Sequence, residues 1–278
     1  MNLNKIRYSQ LLEMRIQRKE KNVPWNVMPK KGTKNFCQAI GANIVQVLQE
    51  FDSIESIRFN NLPDFFVLKP ENGHSNAGVL ILERKSPGVF YEAFTKKIFS
   101  VDDIKQKIKD NLNKFNISHS TRYIAEEYIP DIYGELIPHD FKFFIFQGEI
   151  GIIMEVDRNS PTSQTYSFYE PDFSPVTPGR VIGLKEDVKI TLKSTPEFSK
   201  NLINLAKRVS IALPTPFARI DLYYDGNHAK VGEITLTPYY GYPYKWSDAQ
   251  DTIMGRMWYD AILRMNKKTE DFFDLSHE

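Results

Sequence analysis

The sequence predicts an α+β protein in which a short helical N-terminal segment precedes antiparallel strands interspersed with helices. Three observations carry this. Residues 217–241, FARIDLYYDGNHAKVGEITLTPYYG, alternate apolar and polar residues on both sides of the turn signal Asp225-Gly226-Asn227, the pattern of a β-hairpin. Residues 64–84 read as strand, glycine-containing loop, strand (DFFVLKP, ENGHSNAG, VLILER). Segments with apolar residues at helical spacing stand between such runs, several of them opened by a capping Ser or Thr.

The composition sets bounds on function. A chain of 278 residues, 41% hydrophobic and 13% aromatic, has enough apolar surface for one large core or two smaller ones. Lys+Arg 36 against Asp+Glu 35 leaves a formal charge of +1, so no global field favours nucleic acid or an anionic membrane, and any anion site must be local. The single cysteine, Cys37, rules out an internal disulfide and a cysteine-rich metal cluster. The N-terminus lacks an apolar signal region, and no run of about 18 apolar residues occurs, so a cytoplasmic protein without stable membrane insertion is expected.

In chain order, residues 4–22 place Ile6, Leu11, Leu12 and Ile16 near helical spacing, with Glu13 and Glu20 interrupting the basic side; this is read as a packing helix and not a membrane anchor. After the basic loop 29–32, Thr33 is expected to cap a second helix over 34–51 with Phe36, Ile40, Ile44, Val47 and Leu48 as its stripe. Cys37 fits there as a small core residue. Ser100 caps a helix over 101–115, and strands follow at 121–130 and 139–157, where Asp140, Lys142 and Phe144 share one face. Residues 159–182 read as a proline- and serine-rich loop, 196–212 as an amphipathic helix, and Ser247 caps a last helix with Ile253, Met257, Ala261 and Leu263 facing inward.

Chemistry concentrates in the hairpin and in the earlier loop. Alternation puts Arg219, Asp221 and Tyr223 on one face, and Val231, Glu233 and Thr235 on a common face of the second strand. Two carboxylates and a guanidinium on one surface need either mutual pairing or a cation, because unpaired buried charge costs several kcal/mol. From the hairpin alone, an ion pair on a solvated sheet face explains the pattern as well as a metal site does. In the loop, Gly73 and Gly78 have the spacing of a phosphate-binding Walker loop, but Val79 and Leu80 stand where Lys and Ser/Thr are required and a strand follows, so it is not one. Lys69 emerges at the end of the buried run before it. A phosphate clamp and an ordinary hairpin loop both remain open. His74 is the one histidine in a candidate site, as a donor or a plain loop residue, and His139 is read as a neighbour of Asp140. Tyr239, Tyr240, Tyr242, Tyr244 and Trp246 form either a stacking platform for a sugar or the packing of a turn.

Taken together and in order, Lys69-Pro70 with Gly73-His74-Ser75, Glu127-Tyr128, Asp140-Phe141-Lys142 and GEITLTP followed by Gly241 resemble the ATP-grasp superfamily, and within it the teichuronopeptide-biosynthesis (TupA-like) branch. The likeness spans roughly residues 33–260. It implies the ATP-grasp fold, two α+β subdomains clamping ATP: a helical segment at 1–60, a small subdomain at 61–127 and a C-terminal subdomain at 128–278. It implies ATP and Mg²⁺ as cofactors. Lys34 and Lys69 match the phosphate-contacting lysines, and Gly73, His74, Ser75 and Gly78 the loop closing over the phosphates. Glu126, Glu127, Tyr128 and Ile129 match the adenine-reading hinge, and Asp140 the ribose-binding carboxylate. Asp221 and Glu233 match the metal carboxylates, with Thr235 where the superfamily has an asparagine, which leaves the number of metals open. Arg219 and Lys142 match the groups that act on the transferred phosphoryl group or the acceptor.

The activity so implied is an ATP-dependent carboxylate–amine ligase working through an acylphosphate, in cell-surface polysaccharide or peptide-polymer biosynthesis. Its partners are a small-molecule or glycan acceptor carboxylate and an amine, with no nucleic acid. A kinase for a sugar or other hydroxyl and a non-catalytic nucleotide-binding module are the alternatives. Retention of Lys69, Arg219, Asp221 and Glu233 together argues against the last.

Overall fold

The computed structural model describes residues 6–71, 78–114, 118, 121–160, 163–176, 179–182, 188–238, 245–265 and 272. The N-terminal helix α1 (Tyr8–Ile16) buries Tyr8, Leu11, Leu12 and Arg15. The second helix, α2 (Lys30–Ala39), starts four residues before the expected one and stops well before residue 51. Gly41 ends it in the left-handed conformation (φ 64°), with Gly41 N–H donating to Gln38 O at 3.1 Å and Ala42 N–H to Cys37 O at 2.8 Å. This paired closure uses the freedom of a glycine one residue past the cap. Thr33 therefore lies inside the helix, where its hydroxyl donates to Val27 O. Residues expected as the helix's last turn form instead the strand β1 (Val47–Phe51).

The chain continues through β2 (Phe65–Pro70), β3 (Leu80–Ser86), β4 (Val89–Glu92), β5 (Lys97–Ser100), α3 (Val101–Lys114) and β6 (Tyr123–Glu127). The Ser100 cap is realised reciprocally: Asp103 N–H donates to Ser100 Oγ, and Ser100 N–H to Asp103 Oδ2. Then come β7 (Asp140–Phe146), β8 (Glu149–Asp157), β9 (Gln164–Tyr169), β10 (Val181–Ile182), β11 (Val188–Ile190), α4 (Ser199–Ala212), β12 (Ala218–Tyr224), β13 (Ala229–Thr235), β14 (Lys245–Trp246) and α5 (Asp248–Arg264). The stretch read as a loop over 159–182 thus carries β9 and β10: its tyrosines and phenylalanines pack across β8, and packing overrides the turn-rich composition.

Two compact units result, residues 1–44 with 139–278, and residues 45–138. In the smaller, a six-stranded antiparallel sheet runs β1-β6-β2-β3-β4-β5. One face, with Phe66, Leu68, Leu82 and Phe90, is closed by Ile104, Ile108 and Leu112 of α3. In the larger, a six-stranded sheet runs β11-β9-β8-β7-β12-β13, antiparallel except for the β11/β9 pair. Helices cover both faces of it. On one, Phe141, Phe143, Ile145, Ile220, Leu222 and Val231 pack with Cys37 of α2 and with Leu202, Ala206 and Val209 of α4. On the other, Phe144, Phe146, Ile152 and Met154 pack with Tyr8 and Leu12 of α1 and with Met254 and Trp258 of α5.

The last helix turns on its axis relative to expectation. Ser247 does cap α5, accepting from Gln250 N–H, and Ala261 does face inward. Ile253 and Leu263, however, are 45% and 49% exposed, and Gly255 takes the inward position against α1. A Cβ on Gly255 would stand 2.2 Å from Ile6 O, so the absence of a side chain is what allows the two helices their close approach.

A candidate carboxylate–guanidinium site on the larger sheet

The site is built by register. Antiparallel pairing sets Lys142 of β7 beside Asp221 of β12, Asp221 beside Glu233 of β13, and Arg219 beside Thr235. Cross-strand partners share a face. All these residues therefore project on the same side as Phe144, the partner of Arg219. Strict alternation along β13 puts Val231 there as well, and the structure overturns that expectation. The register slips between Asp221 and Leu222, so that Leu222 pairs with Val231 and Gly232 is the extra residue of a β-bulge. Val231 drops into the core with Leu222, while Glu233 and Thr235 are turned to the side of Asp221 and Arg219.

Around Asp221 the charges interlock. Arg219 donates twice to its carboxylate, Nε to Oδ1 at 2.6 Å and Nη2 to Oδ2 at 2.7 Å, the bidentate fork that a guanidinium provides. Lys142 Nζ donates to Asp221 Oδ2 and lies 2.5 Å from Asp140 Oδ2. Arg219 Nη2 also donates to Thr235 Oγ1 at 3.0 Å, and that hydroxyl donates to Glu233 Oε1 at 3.0 Å. Arg158 Nη2 completes the group with a 3.3 Å bond to Asp140 Oδ2. Asp140, Lys142, Arg219 and Asp221 are all buried, and Glu233 opens to solvent.

Titration follows from this arrangement. Burial pushes the Asp140 carboxyl up, but the ammonium of Lys142 and the guanidinium of Arg158 outweigh it and leave its pKa below the ordinary value. Glu233 likewise ends low: crowding by protein atoms works against its ionisation, and Arg219 and Lys142 prevail. Asp221 ends high, because burial, with Asp140 and Glu233 nearby, exceeds the pull of Arg219 and Lys142. Of the three carboxylates, Asp221 is the one the protein leaves closest to protonation, so added positive charge at this point relieves a real electrostatic cost.

Three carboxylates and three cations compensate one another here, and among the described residues no three His, Cys, Asp or Glu side chains are placed to hold a metal ion. The donors present, Asp221 and Glu233 on adjacent strands with the Thr235 hydroxyl, are hard oxygens too few to bind a cation alone. They fit Mg²⁺ arriving with phosphate oxygens, which is how that ion is normally held.

The other residues singled out in the sequence fall elsewhere. Lys34 lies on α2, which packs on the opposite face of this sheet. Lys69, at the end of β2 in the smaller unit, is ion-paired with Glu126 of β6. Glu127 exchanges bonds with Gln46, its carboxylate accepting from Gln46 N–H at 2.8 Å. Tyr128 stacks on Phe65 at 5.3 Å and donates to Leu136 O, and Ile129 is buried. Gly78 has φ 74° and a Cβ there would meet the Pro70 ring at 3.1 Å. Gly73, His74 and Ser75 lie outside the described residues, as do Tyr239, Tyr240, Tyr242 and Tyr244. Trp246 is an edge-on packing partner of Phe144 at 5.2 Å. His139 stands 3.4 Å from Asp157 and 3.7 Å from Glu155. Sequence reasoning missed Arg158, although it stands two residues after Val156, the register partner of Asp140, and period-two alternation carries it to the same face.

The model of the family described as TupA-like ATPgrasp matches residues 10–259. No curated protein matches the chain. Among solved structures, D-alanine–D-alanine ligase from Bacillus anthracis superposes with a TM-score of 0.51 at 17% identity, over 86% of this chain and 68% of that one. The same ligase complexed with ATP gives a TM-score of 0.49 at 15% identity, over 86% and 66%. A RimK domain ATP-grasp protein from Sphaerobacter thermophilus gives 0.49 at 12% identity, over 85% and 68%. The chain thus spans about two thirds of the length of the ligases it resembles.

Proposed function

The chain belongs to the TupA-like ATP-grasp family, and from that premise we propose that it is an ATP-dependent carboxylate–amine ligase. The acceptor carboxylate attacks the γ-phosphorus of ATP, forming an acylphosphate and releasing ADP. The amine then attacks the acyl carbon, an amide forms, and inorganic phosphate leaves. The observation that carries the reading is the gathering of Lys142, Arg219, Asp221, Glu233 and Thr235 on one sheet face, with the cations already buried and oriented. Phosphoryl transfer asks a protein chiefly for positioned positive charge and very little covalent chemistry.

In this proposal Asp221 and Glu233 would hold Mg²⁺, with Thr235 beside them, and the charge it would supply there neutralises phosphate oxygens. Arg219 and Lys142 exchange part of their hold on Asp221 for phosphate oxygens. Asp140 Oδ1 is buried and has no hydrogen-bond partner among the described residues, which suits it to accept from a ribose hydroxyl. Lys69, with the 73–78 loop, contributes to phosphate binding, and Glu126 to Ile129 to reading the adenine edge; Lys34 is assigned with them on resemblance alone. The acceptor belongs to cell-surface polysaccharide or peptide-polymer assembly, on the cytoplasmic side. No described helix is long and apolar enough to cross a membrane.

The test is thermal stabilisation by ATP with and without Mg²⁺, on wild type and on Glu233→Gln. Ligand at 100 times its Kd adds about 2.7 kcal/mol to apparent stability. The expected result is a shift that needs Mg²⁺ and shrinks in the variant. A wild type indifferent to ATP and Mg²⁺ would sink the proposal. Once binding is established, acceptor screening with phosphate detection separates the chemistries: release of phosphate with amide formation supports the ligase, and a stable phosphorylated product identifies a kinase.

A further inference from the structure

Arg15, on α1, is fully buried and satisfies all five of its N–H donors within the larger unit. Its Nε and Nη2 grip the Glu20 carboxylate at 2.5 and 2.8 Å. The second Nη2 hydrogen reaches Thr215 Oγ1 at 3.0 Å. Its Nη1 donates to two backbone carbonyls, Phe217 O at 2.9 Å and Leu236 O at 3.0 Å. The guanidinium lies 4.3 Å from the centre of the Trp258 ring. Those two carbonyls are not arbitrary. Phe217 leads into β12 two residues before Arg219, and Leu236 follows Thr235 at the end of β13. One guanidinium therefore spans the open end of the hairpin whose next cross-strand pair, Arg219 with Thr235, belongs to the candidate site.

We infer that Arg15, held in place by Glu20, is a positioning residue for the carboxylate hairpin: it fixes the separation of β12 and β13 and thereby the spacing of Arg219, Asp221, Glu233 and Thr235. The inference deepens the ligase proposal, since it assigns the N-terminal helix a part in the same site. The bulge at Gly232 loosens the ladder on one side of that constellation, and Arg15 clamps it on the other. A buried ion pair is poor evidence of stability by itself, because well-packed apolar residues often replace one at no loss. What apolar residues cannot replace is the two-pronged donation to Phe217 O and Leu236 O.

That difference supplies the test. The double variant Arg15→Met with Glu20→Leu removes both charges, and Arg15→Lys keeps one charge without the fork. Two quantities are read on each folded variant: amide hydrogen exchange over 217–236 against 141–156, and the Mg²⁺ concentration for half-maximal stabilisation by ATP. The expected result is exchange at least tenfold faster in the hairpin with 141–156 unchanged, and a Mg²⁺ requirement raised at least tenfold while the thermal midpoint of the double variant stays near that of wild type. Wild-type exchange in the hairpin of a folded variant overturns the inference. Failure of both variants to fold overturns it too, by making the pair a folding requirement. Should wild type itself show no response to ATP and Mg²⁺, the ligase proposal falls, and the exchange comparison still decides the role of Arg15.

Discussion

Asp221 is where the residue scale decides the chemistry. Its carboxylate carries the Arg219 fork and the Lys142 ammonium at once, and its pKa is still raised by burial and by its acidic neighbours. In the proposed complex, a divalent ion held with phosphates would let those cations turn outward without stranding a buried charge. Arg219→Lys tests the fork: a lysine keeps the charge and loses the planar bidentate geometry. We expect kcat to fall about 100-fold, the usual loss for one oriented donor to developing negative charge, with ATP affinity changing far less, as steady-state kinetics will show. Arg219, Asp221 and Glu233 were legible because their types and spacing are unusual on a strand. Arg158 was not, since one arginine beyond a strand end has no meaning until Asp140 is known to lie across from it.

At the scale of elements, two glycines do what no pattern of apolar residues reveals. Gly41 closes α2 with φ 64° and open space where a Cβ would go, so Gly41→Ala meets no clash and bears only the cost of the left-handed backbone. That cost is about 1 kcal/mol, and a lowered thermal midpoint is the readout. Gly232 is the bulge residue, and a Cβ there would stand 2.6 Å from the Tyr223 ring and 3.5 Å from Asp221 O. Gly232→Val should therefore cost about 1–3 kcal/mol by overpacking and also raise the Mg²⁺ needed for stabilisation by ATP, because the bulge aims Glu233. A valine variant with unchanged Mg²⁺ dependence removes the bulge from the account. Most helices and strands were readable from their periodicity and caps, as α3, β8, β12, β13 and the start of α5 show. The second helix was overextended because Ile44, Val47 and Leu48 happen to continue its 3.6-residue spacing, and the stop signal, one glycine, is quiet in sequence.

On the scale of the whole molecule, the near balance of Lys+Arg 36 with Asp+Glu 35 hides strong local charge, and pH exposes it. Asp140, Asp157 and Glu233 have pKa values held below the ordinary carboxylate range. A depressed folded-state value contributes stability above the unfolded pKa of about 4 and loses it as pH falls below that. Asp221, with its raised value, works in the opposite sense. The two effects act in different windows: Asp221 adds stability as pH falls from its raised folded pKa toward about 4, and the depressed groups lose theirs below about 4. Thermal midpoints should therefore rise as pH falls toward about 4 and drop below it; a midpoint that falls between about pH 8 and 5 contradicts the paired-cluster description. By itself the sequence determined the α+β class, the Ser100 and Ser247 helix caps, the β12/β13 hairpin and the kinds of charged residue on it, because these follow from local periodicity and turn chemistry. Only the tertiary structure decided that Val231 turns inward while Glu233 turns to Asp221, that Arg158 joins Asp140, and that Arg15 clamps the hairpin's open end. Those are matters of register and of approach between residues up to 221 positions apart, and short-range periodicity carries no information about either.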